Sequence, residues 1–335
     1  MAKLPSFVRS GIRLLDVHSH AGIEPLSYLT HGFPFCLSLR ESHDQNLSIG
    51  TTHSVVFPFC TSLYYHLPSL QKVRIKLTGG IGKAPFAFEN EHLLRQLYEL
   101  FPDYRRMFIP FAIVDTLRET RKQVRVLESL IERYPFYGLK VHPRTTQARI
   151  STLSKEGRPI LEFARAHDLP ILFHAAYPGS PDPFSQISYI LELARANPDL
   201  RFCAAHFCGF HQKTFEAIAE TDNIWVDSAA MGIGCDLVVE KSKIYESGPA
   251  KIPGNYRDPP SVFAEIARRF PRHFMWGTDN PGHTFISNNP IRPGGMPHRL
   301  ALWSTMERER DLLRDVSGSL RRKVAFENAL RFIEG

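Results

Sequence analysis

Eight short apolar runs, separated by segments of helical periodicity, most constrain what this 335-residue chain can fold into. The runs are rich in Val, Ile, Leu and Phe, and their alternation with helices is typical of parallel strands joined by crossover helices. Eight such strands close a cylinder, so the pattern predicts a (β/α)8 TIM barrel of the α/β class. The predicted strands cover residues 13–20, 53–59, 107–114, 137–143, 169–175, 200–206, 223–229 and 272–279.

The segments between the predicted strands divide into helices and long loops. Apolar residues at three- and four-residue spacing predict helices over residues 118–133, 157–167, 183–196, 211–220 and 260–270, and two more near 298–315 and 318–333. The long connections all leave the strands, at residues 21–52, 60–91, 230–259 and 280–296. Because the loops after the strands of a TIM barrel build its active site, these insertions are expected to form the walls. No repeat or flexible linker interrupts the pattern, which predicts one domain over residues 1–335.

The charge pattern and the cysteines limit the function classes. Lys and Arg number 41 against 34 Asp and Glu, a net charge of +7, but the basic residues are spread along the chain. A nucleic-acid footprint would cluster them, so we expect no nucleic-acid partner, while a small anionic substrate is compatible with the excess. The five cysteines form no CxxC pair, and no apolar run is long enough to span a bilayer. These features predict free thiols, no membrane partner and a cytoplasmic location.

Histidines and one aspartate stand at the ends of several predicted strands. His18 and His20 share one side of the first strand, about 6.6 Å apart along it, and two imidazoles so placed can bind one ion. His174 closes the fifth run and Asp279 closes the eighth. Three imidazoles and one carboxylate suit a divalent metal such as zinc, with one position left open for water. Any one such histidine is more often a satisfied polar group at a strand end, but four such residues on one barrel rim favour a metal site.

Five motifs, in sequence order, resemble those of a known enzyme family. They are Asp16-Val17-His18-Ser19-His20, Gly138-Leu139-Lys140-Val141-His142-Pro143, Leu172-Phe173-His174, Ala204-Ala205-His206-Phe207-Cys208-Gly209 and Trp276-Gly277-Thr278-Asp279-Asn280-Pro281. Their order and strand placement are similar to those of the metal-dependent amidohydrolase superfamily. The resemblance is strongest to the amidohydrolase-related branch that includes aminocarboxymuconate semialdehyde decarboxylase and resorcylate decarboxylase. It spans essentially the whole chain and implies a TIM barrel.

The resemblance implies a metal held by His18, His20, His174 and Asp279, with His206 beside the water or the substrate. The underlying chemistry is independent of the family, because a bound metal lowers the pKa of water and a nearby carboxylate or imidazole can move the released proton. Asp279 suits both tasks, so Asp279 and His206 are the predicted catalytic residues. His206 could polarise a carbonyl or protonate a leaving group, and a role as a second metal ligand is nearly as well supported.

Lys140 admits two interpretations. In the two-metal branches of the superfamily, a lysine at the end of the fourth strand is carboxylated and bridges both ions. The motif around Lys140 resembles the single-metal branch instead, so one ion is favoured and two are the alternative. Lys140 and His142 share strand parity and can both face the barrel centre, where Lys140 could pair with a substrate carboxylate. With the loop residue Arg144, they are the predicted substrate-binding residues. Zinc is the favoured metal, and manganese or iron accept the same ligands.

Other polar residues follow the predicted strands. One or two loop arginines could bind an anion, although a solvated charge is the more common role for each, and two further histidines could contact the substrate. These candidates are Arg144, Arg149, Arg257, Arg292 and Arg299, together with His211 and His283.

The favoured function is a metal-dependent hydrolase that attacks an amide, ester, lactone or related bond of a small anionic substrate. The alternatives are a nonoxidative decarboxylase of an aromatic or enol carboxylate, a noncatalytic metal-binding barrel, and a sugar-processing lyase or isomerase on the same scaffold. The chain has no Gly-x-Ser-x-Gly elbow, dinucleotide-binding glycine motif or phosphate loop that would support another catalytic class. The family resemblance also suggests a homodimer.

Overall fold

The structure is a computed structural model that describes residues 4–25, 35–72, 74–78, 82–282, 286–287, 300–301 and 304–335. Its strands are β1 (Leu15–Glu24), β2 (Phe35–Leu37), β3 (His53–Pro58), β4 (Phe108–Pro110), β5 (Ala112–Val114), β6 (Leu139–Val141), β7 (Ile171–Phe173), β8 (Phe202–Ala204), β9 (Ile224–Asp227), β10 (Phe274–Met275), β11 (Ile286–Ser287) and β12 (Leu300–Ala301). Each of the eight predicted strands is present. The third is divided into β4 and β5, and β2, β11 and β12 are additional.

The parallel strands follow one another around the barrel in chain order. One ladder has the order β2-β1-β3-β4 and the other has the order β10-β9-β8-β7-β6-β5, with β2 as the antiparallel member. Backbone hydrogen bonds join the two ladders on both sides. The amide of Phe111, between β4 and β5, donates to the carbonyl of Val56 at 2.9 Å, and the amide of Asp279 donates to the carbonyl of His18 at 2.8 Å. The chain therefore folds as the predicted (β/α)8 TIM barrel.

Two buried apolar layers position the strands. Alternate strand residues such as Val17 and Leu172 fill the inside of the barrel, where Phe332 of the C-terminal helix packs against them. Residues of the opposite alternation, such as Leu139, pack outward against helix residues such as Leu127. This alternation follows from the two-residue period of a strand, and it is why the predicted strands read as continuous apolar runs.

The helices surround the barrel and confirm most of the predicted segments. They are Ser6–Arg9, Leu39–Ser48, Leu67–Gln71, Ala87–Arg95, Thr120–Arg133, Pro143–Thr146, Arg158–Ala166, Ile187–Ala196, Gln212–Ala219, Met231–Val239, Pro259–Arg269, Met306–Asp311, Gly318–Arg322 and Asn328–Glu334. The helix predicted over residues 183–196 begins later than expected, at Ile187. Its first residues pair with Ala176 instead, which accepts from the amide of Ile187 and donates to the carbonyl of Ser185.

Some predicted features lie outside the described residues. These are parts of the insertions at residues 21–52, 60–91 and 280–296, the beginning of the helix predicted near 298–315, and His283, Arg292 and Arg299. The described part of that last helix is Met306–Asp311. Within the described ranges, no helix is both long enough and apolar enough to cross a membrane.

Candidate metal centre

All eight residues predicted for the site line one cavity of about 790 Å³ at the carboxyl ends of the strands. They are His18, His20, Lys140, His142, Arg144, His174, His206 and Asp279. The four predicted insertions each contribute to the wall, through Glu24, Cys60, Ile244 and Gly282. The connection after β7 also contributes to the wall, through Ser180. This connection is shorter than the four predicted insertions and was not among them.

The first and last barrel strands are tied together at the point where they carry the site. Asp16 is fully buried and its Oδ1 accepts from the amides of His18 at 2.9 Å and Thr278 at 3.0 Å. Its Oδ2 accepts from the Thr278 hydroxyl at 2.6 Å. Burial raises the pKa of Asp16 to about 6, although these hydrogen bonds lower it. The bonds fix His18 relative to Asp279, the residue after Thr278.

The ring nitrogens of the first strand converge on one carboxylate oxygen. Oδ1 of Asp279 lies 3.2 Å from Nε2 of His18 and 3.4 Å from Nε2 of His20. The ligand atoms of a tetrahedral ion bound at 2.0–2.1 Å are about 3.4 Å apart, so the spacing fits zinc. A ligand nitrogen of His206 belongs to the same group, since the ligand atoms of His18, His206 and Asp279 all lie within 4.8 Å of one another.

The charge states of these groups also fit a cation. Burial raises the pKa of Asp279, but the neighbouring His18 and His20 lower it further, so the pKa lies well below its usual range. Burial lowers the pKa of His20 to about 4 and lowers the pKa of His206. Burial also lowers the pKa of His18, but Asp227 and Asp279 raise it above the usual value, so a metal must displace a proton from His18. Neutral imidazoles and an ionised carboxylate present lone pairs toward one point, and a divalent metal requires deprotonated ligands of this kind.

His174, a predicted ligand, lies beside His206 and outside the group formed by His18, His206 and Asp279. Nδ1 of His174 lies 2.9 Å from Nε2 of His206, and Nδ1 of His206 lies 3.1 Å from the carbonyl oxygen of Ala229. The ring of His142 stacks on that of His174, with centroids 4.2 Å apart. Burial lowers the pKa of both His142 and His174 well below the usual value. The structure thus brings His174 together with His206, and His206 together with His18 and Asp279.

His206 begins a strained turn directly after β8. Residues His206, Phe207, Cys208, Gly209 and Phe210 all have positive φ, between 42° and 65°. A left-handed conformation costs about 1–2 kcal/mol for each residue with a side chain, so the surrounding structure must hold this turn in place. The turn is fully packed, and a Cβ atom on Gly209 would lie 2.9 Å from Tyr177.

The predicted substrate-binding residues lie at two depths of the cavity. Lys140 is fully buried, with Nζ 3.0 Å from Nε2 of His18 and 4.5 Å from the centroid of the Phe57 ring. Burial lowers the pKa of Lys140 from its ordinary value. Nδ1 of His142 accepts from the amide of Thr145 at 3.2 Å, whereas Arg144 is exposed on the cavity wall.

Asp227 belongs to the centre and escaped the sequence analysis. It ends β9, has no exposed surface, and places Oδ2 2.9 Å from Nδ1 of His18. Its Oδ1 accepts from the amides of His206 at 2.9 Å and Ala229 at 3.1 Å. Burial raises the pKa of Asp227, but His18 lowers it further, and the net pKa is below the usual value. Its position as a carboxylate that closes an apolar run is the signal that could have found it.

Cys60 is a second residue that the sequence analysis did not assign to the site. It lies against the first-strand histidines, with Sγ 3.9 Å from Nδ1 of His20. Burial raises the pKa of the Cys60 thiol to about 12, so the thiol is protonated at neutral pH and is a poor metal ligand.

The fold and the centre together define a TIM-barrel enzyme with metal-type donors at the carboxyl ends of its strands. A family model described as Amidohydrolase matches residues 71–334, so the chain belongs to the amidohydrolase family. The protein is therefore an enzyme of the amidohydrolase superfamily, a hydrolase or a related enzyme. The match begins after His18 and His20, and the structure places both of them within 3.4 Å of Oδ1 of Asp279.

Solved structures similar to this chain have the same fold. An uncharacterised TIM-barrel protein from Bordetella bronchiseptica has a TM-score of 0.54 at 13% identity, covering 88% of this chain and 82% of its own. Dihydroorotase from Campylobacter jejuni has a TM-score of 0.52 at 15% identity, covering 95% of this chain and 82% of its own. IDCase from Metarhizium anisopliae has a TM-score of 0.53 at 12% identity, covering 97% of both chains. No curated protein matches the sequence.

Proposed function

We propose that this protein is a metal-dependent hydrolase that uses an activated water on a small anionic substrate with an amide, ester, lactone or related bond. The observation that carries the proposal is the convergence of His18, His20 and His206 on Asp279 in one cavity. When bound, a divalent ion, with zinc favoured, supplies Lewis-acid chemistry: it makes water a stronger nucleophile near neutral pH and polarises the substrate. The location that we propose is the cytoplasm, supported by five unpaired cysteines.

The proton chemistry of the proposed reaction rests on Asp279 and His206. Asp279 remains ionised at neutral pH because its pKa lies well below the usual value, so its carboxylate can accept the proton of the attacking water. His206 is neutral, since burial lowers its pKa, and its Nδ1 faces the carbonyl of Ala229. Nε2 of His206 therefore carries the lone pair, beside Nδ1 of His174, and we propose that this atom moves a proton or polarises a carbonyl of the substrate.

The cavity supports a small anionic substrate. Its volume of about 790 Å³ lies within the range of small-molecule sites. Lys140 supplies a buried amine beside the donor cluster, and Arg144 forms no ion pair with any residue that the structure describes. A substrate carboxylate could therefore bind Arg144 at the wall or Lys140 near the donors, because both offer donors for charge-assisted hydrogen bonds.

Lys140 also favours a second candidate, a nonoxidative decarboxylase. A fully buried amine 3.0 Å from Nε2 of His18 can hold a carboxylate next to the donor cluster, which a decarboxylase requires. A product assay distinguishes the two reactions. The metal-loaded protein is incubated in 18O-labelled water with amides, esters, lactones and aryl carboxylates. A hydrolase incorporates the label into product, whereas a decarboxylase releases carbon dioxide without net incorporation of water.

The substitution His206→Asn tests the proposed machinery. We expect it to retain the metal and to lose turnover, because Asn keeps a polar side chain but cannot move the proton. His211→Asn is the matched control, since His211 lies outside the cavity and bonds Thr214. Equal loss of metal and turnover in His206→Asn would make His206 a ligand. A metal-loaded wild type that converts none of the substrates would support a noncatalytic barrel.

A further inference from the structure

We infer that Asp227 is a positioning residue that locks His18 and the His206 turn to each other, and so sets the metal affinity of the centre. The inference rests on the proposed function, because it concerns the same donor cluster. Asp227 contacts two parts of the chain that are distant from it in sequence, the His18 ring from β1 and the amide of His206 after β8, and it also accepts from the nearby amide of Ala229. The three contacts use both oxygens of one fully buried carboxylate.

The first consequence concerns the tautomer of His18. A carboxylate only accepts hydrogen bonds, so the 2.9 Å contact requires the proton on Nδ1 of His18. In the neutral ring that a metal requires, Nε2 then carries the lone pair, and this is the atom that lies 3.2 Å from Oδ1 of Asp279. In the other tautomer, Nε2–H would donate to Asp279 and occupy the position of a metal. A carboxylate on the far nitrogen of a ligand histidine is a common way to fix the ring for metal binding.

The second consequence concerns the turn that begins at His206. Five consecutive positive φ values are disfavoured for residues with side chains, and the turn persists because its surroundings hold it. Asp227 holds the first amide, that of His206. Gly234 leaves the space in which Phe207 packs, since a Cβ atom at Gly234 would lie 2.3 Å from Cζ of Phe207. Asp227 thus holds the backbone amide of His206, where the turn begins, and Gly234 leaves room for the side chain of the next residue, Phe207.

An asparagine at position 227 cannot replace both functions. If its amide oxygen faces His18, its NH2 group meets the two amide N–H donors of His206 and Ala229. If the oxygen faces those amides, the NH2 group faces Nδ1 of His18 and reverses the tautomer. Each orientation loses one set of contacts. Because Asn has nearly the same size as Asp, Asp227→Asn removes the positioning contacts and still fills the same space.

The test measures zinc affinity by competition with a chromophoric chelator. We expect Asp227→Asn to weaken zinc binding by about 10- to 100-fold, as for other outer-shell partners of ligand histidines. Asp115→Asn is the matched control, because Asp115 is also a fully buried carboxylate that follows a barrel strand, but it binds Arg118 and local amides instead of a site histidine. The control should leave zinc affinity within about twofold, whatever it does to stability. Unchanged zinc affinity in a folded Asp227→Asn protein would overturn the inference.

A measurement on the wild type keeps the inference testable if Asp227→Asn does not fold. With 15N-labelled histidine, the Nδ1–H proton of His18 should give a downfield, slowly exchanging resonance that His18→Gln removes. A His18 ring protonated on Nε2 alone would overturn the inference. This spectrum requires neither zinc nor turnover. A protein that binds no zinc would therefore refute the proposed function, whereas the contact between Asp227 and His18 would still be tested by the resonance.

Discussion

Glu309 is expected to lower the stability of the folded protein as the pH rises. Its side chain is fully buried in the helix Met306–Asp311. The polar groups near its carboxyl oxygens are the amide of Gly232, at 3.3 and 3.4 Å, and the hydroxyl of Ser304, at 3.3 Å. These contacts are long and compensate weakly for the burial of a charge. Burial therefore raises the pKa of Glu309 from 4.5 to about 8.

The sign of the effect follows from where the proton is held. Between pH 4.5 and about 8 the unfolded chain has lost the proton of Glu309 and the folded protein keeps it, so the free energy of unfolding falls as the pH rises through this window. Each pKa unit corresponds to about 1.36 kcal/mol, which gives a loss of about 2 kcal/mol by pH 6 and about 5 kcal/mol by pH 8. Glu309→Gln removes the titration and keeps nearly the same shape. The variant should match the wild type near pH 4 and be more stable by about 5 kcal/mol at pH 8.

Urea unfolding of both proteins at a series of pH values from 5 to 8 measures this difference directly. The free energy of unfolding of Glu309→Gln, minus that of the wild type, should increase by about 1.4 kcal/mol per pH unit. Glu307→Gln is the control, because it makes the same substitution at an exposed position of the same helix. A Glu309→Gln difference that stays constant from pH 5 to 8 would refute the assignment of a buried, neutral carboxyl group.

Three further outcomes test the centre and the barrel. Replacing His18 or Asp279 with Ala should weaken zinc binding by more than about 100-fold, a larger loss than for a residue that only contacts a ligand. Circular dichroism should show that both variants remain folded. Full activity in either variant would exclude that residue as a ligand. Elemental analysis should give about one metal per chain for a mononuclear centre, and about two if Lys140 is carboxylated and bridges two ions. Gly138→Ala should lower the free energy of unfolding by about 1–3 kcal/mol or more, because its Cβ would lie 2.3 Å from Cε2 of Phe111; an unchanged urea midpoint would contradict that contact.

The strands could be predicted from the sequence because a buried parallel strand gives a local signal, an apolar run between turn residues. The boundaries were less accurate where tertiary pairing decides them. The prediction for the last strand covered residues 272–279, but the ladder itself is Phe274–Met275. The residues that follow join β1 through separate bonds, such as the one from the amide of Asp279 to the carbonyl of His18. Such bonds depend on a strand more than 250 residues away, so no local pattern contains them.

The residues of the site followed from one rule, that a polar residue closing an apolar run lies on the rim of the barrel. The same rule selects Asp227, which closes β9, but an aspartate at a strand end is also a common turn residue. Only the 2.9 Å distance to Nδ1 of His18 separates the two roles. The closeness of Lys140 to His18 likewise depends on the stagger of the strands around the barrel. The ligand roles, the single domain and the homodimer stay predictions.

Buried carboxylates, and not apolar contacts alone, hold the rim of this barrel together. Asp16 joins β1 to Thr278, Asp227 joins β1 to the turn after β8, and Glu309 accepts from Gly232 in the helix Met231–Val239. Burial raises the pKa of Asp16 to about 6 and that of Glu309 to about 8, whereas His18 keeps the pKa of Asp227 below its usual value. Of these three carboxylates, only Asp227 contacts an imidazole ring, and that contact makes its charge favourable. A neutral residue should stabilise the protein at Glu309 and damage the centre at Asp227, because burial disfavours the charge of the first carboxylate, whereas the charge of the second orients a ligand histidine.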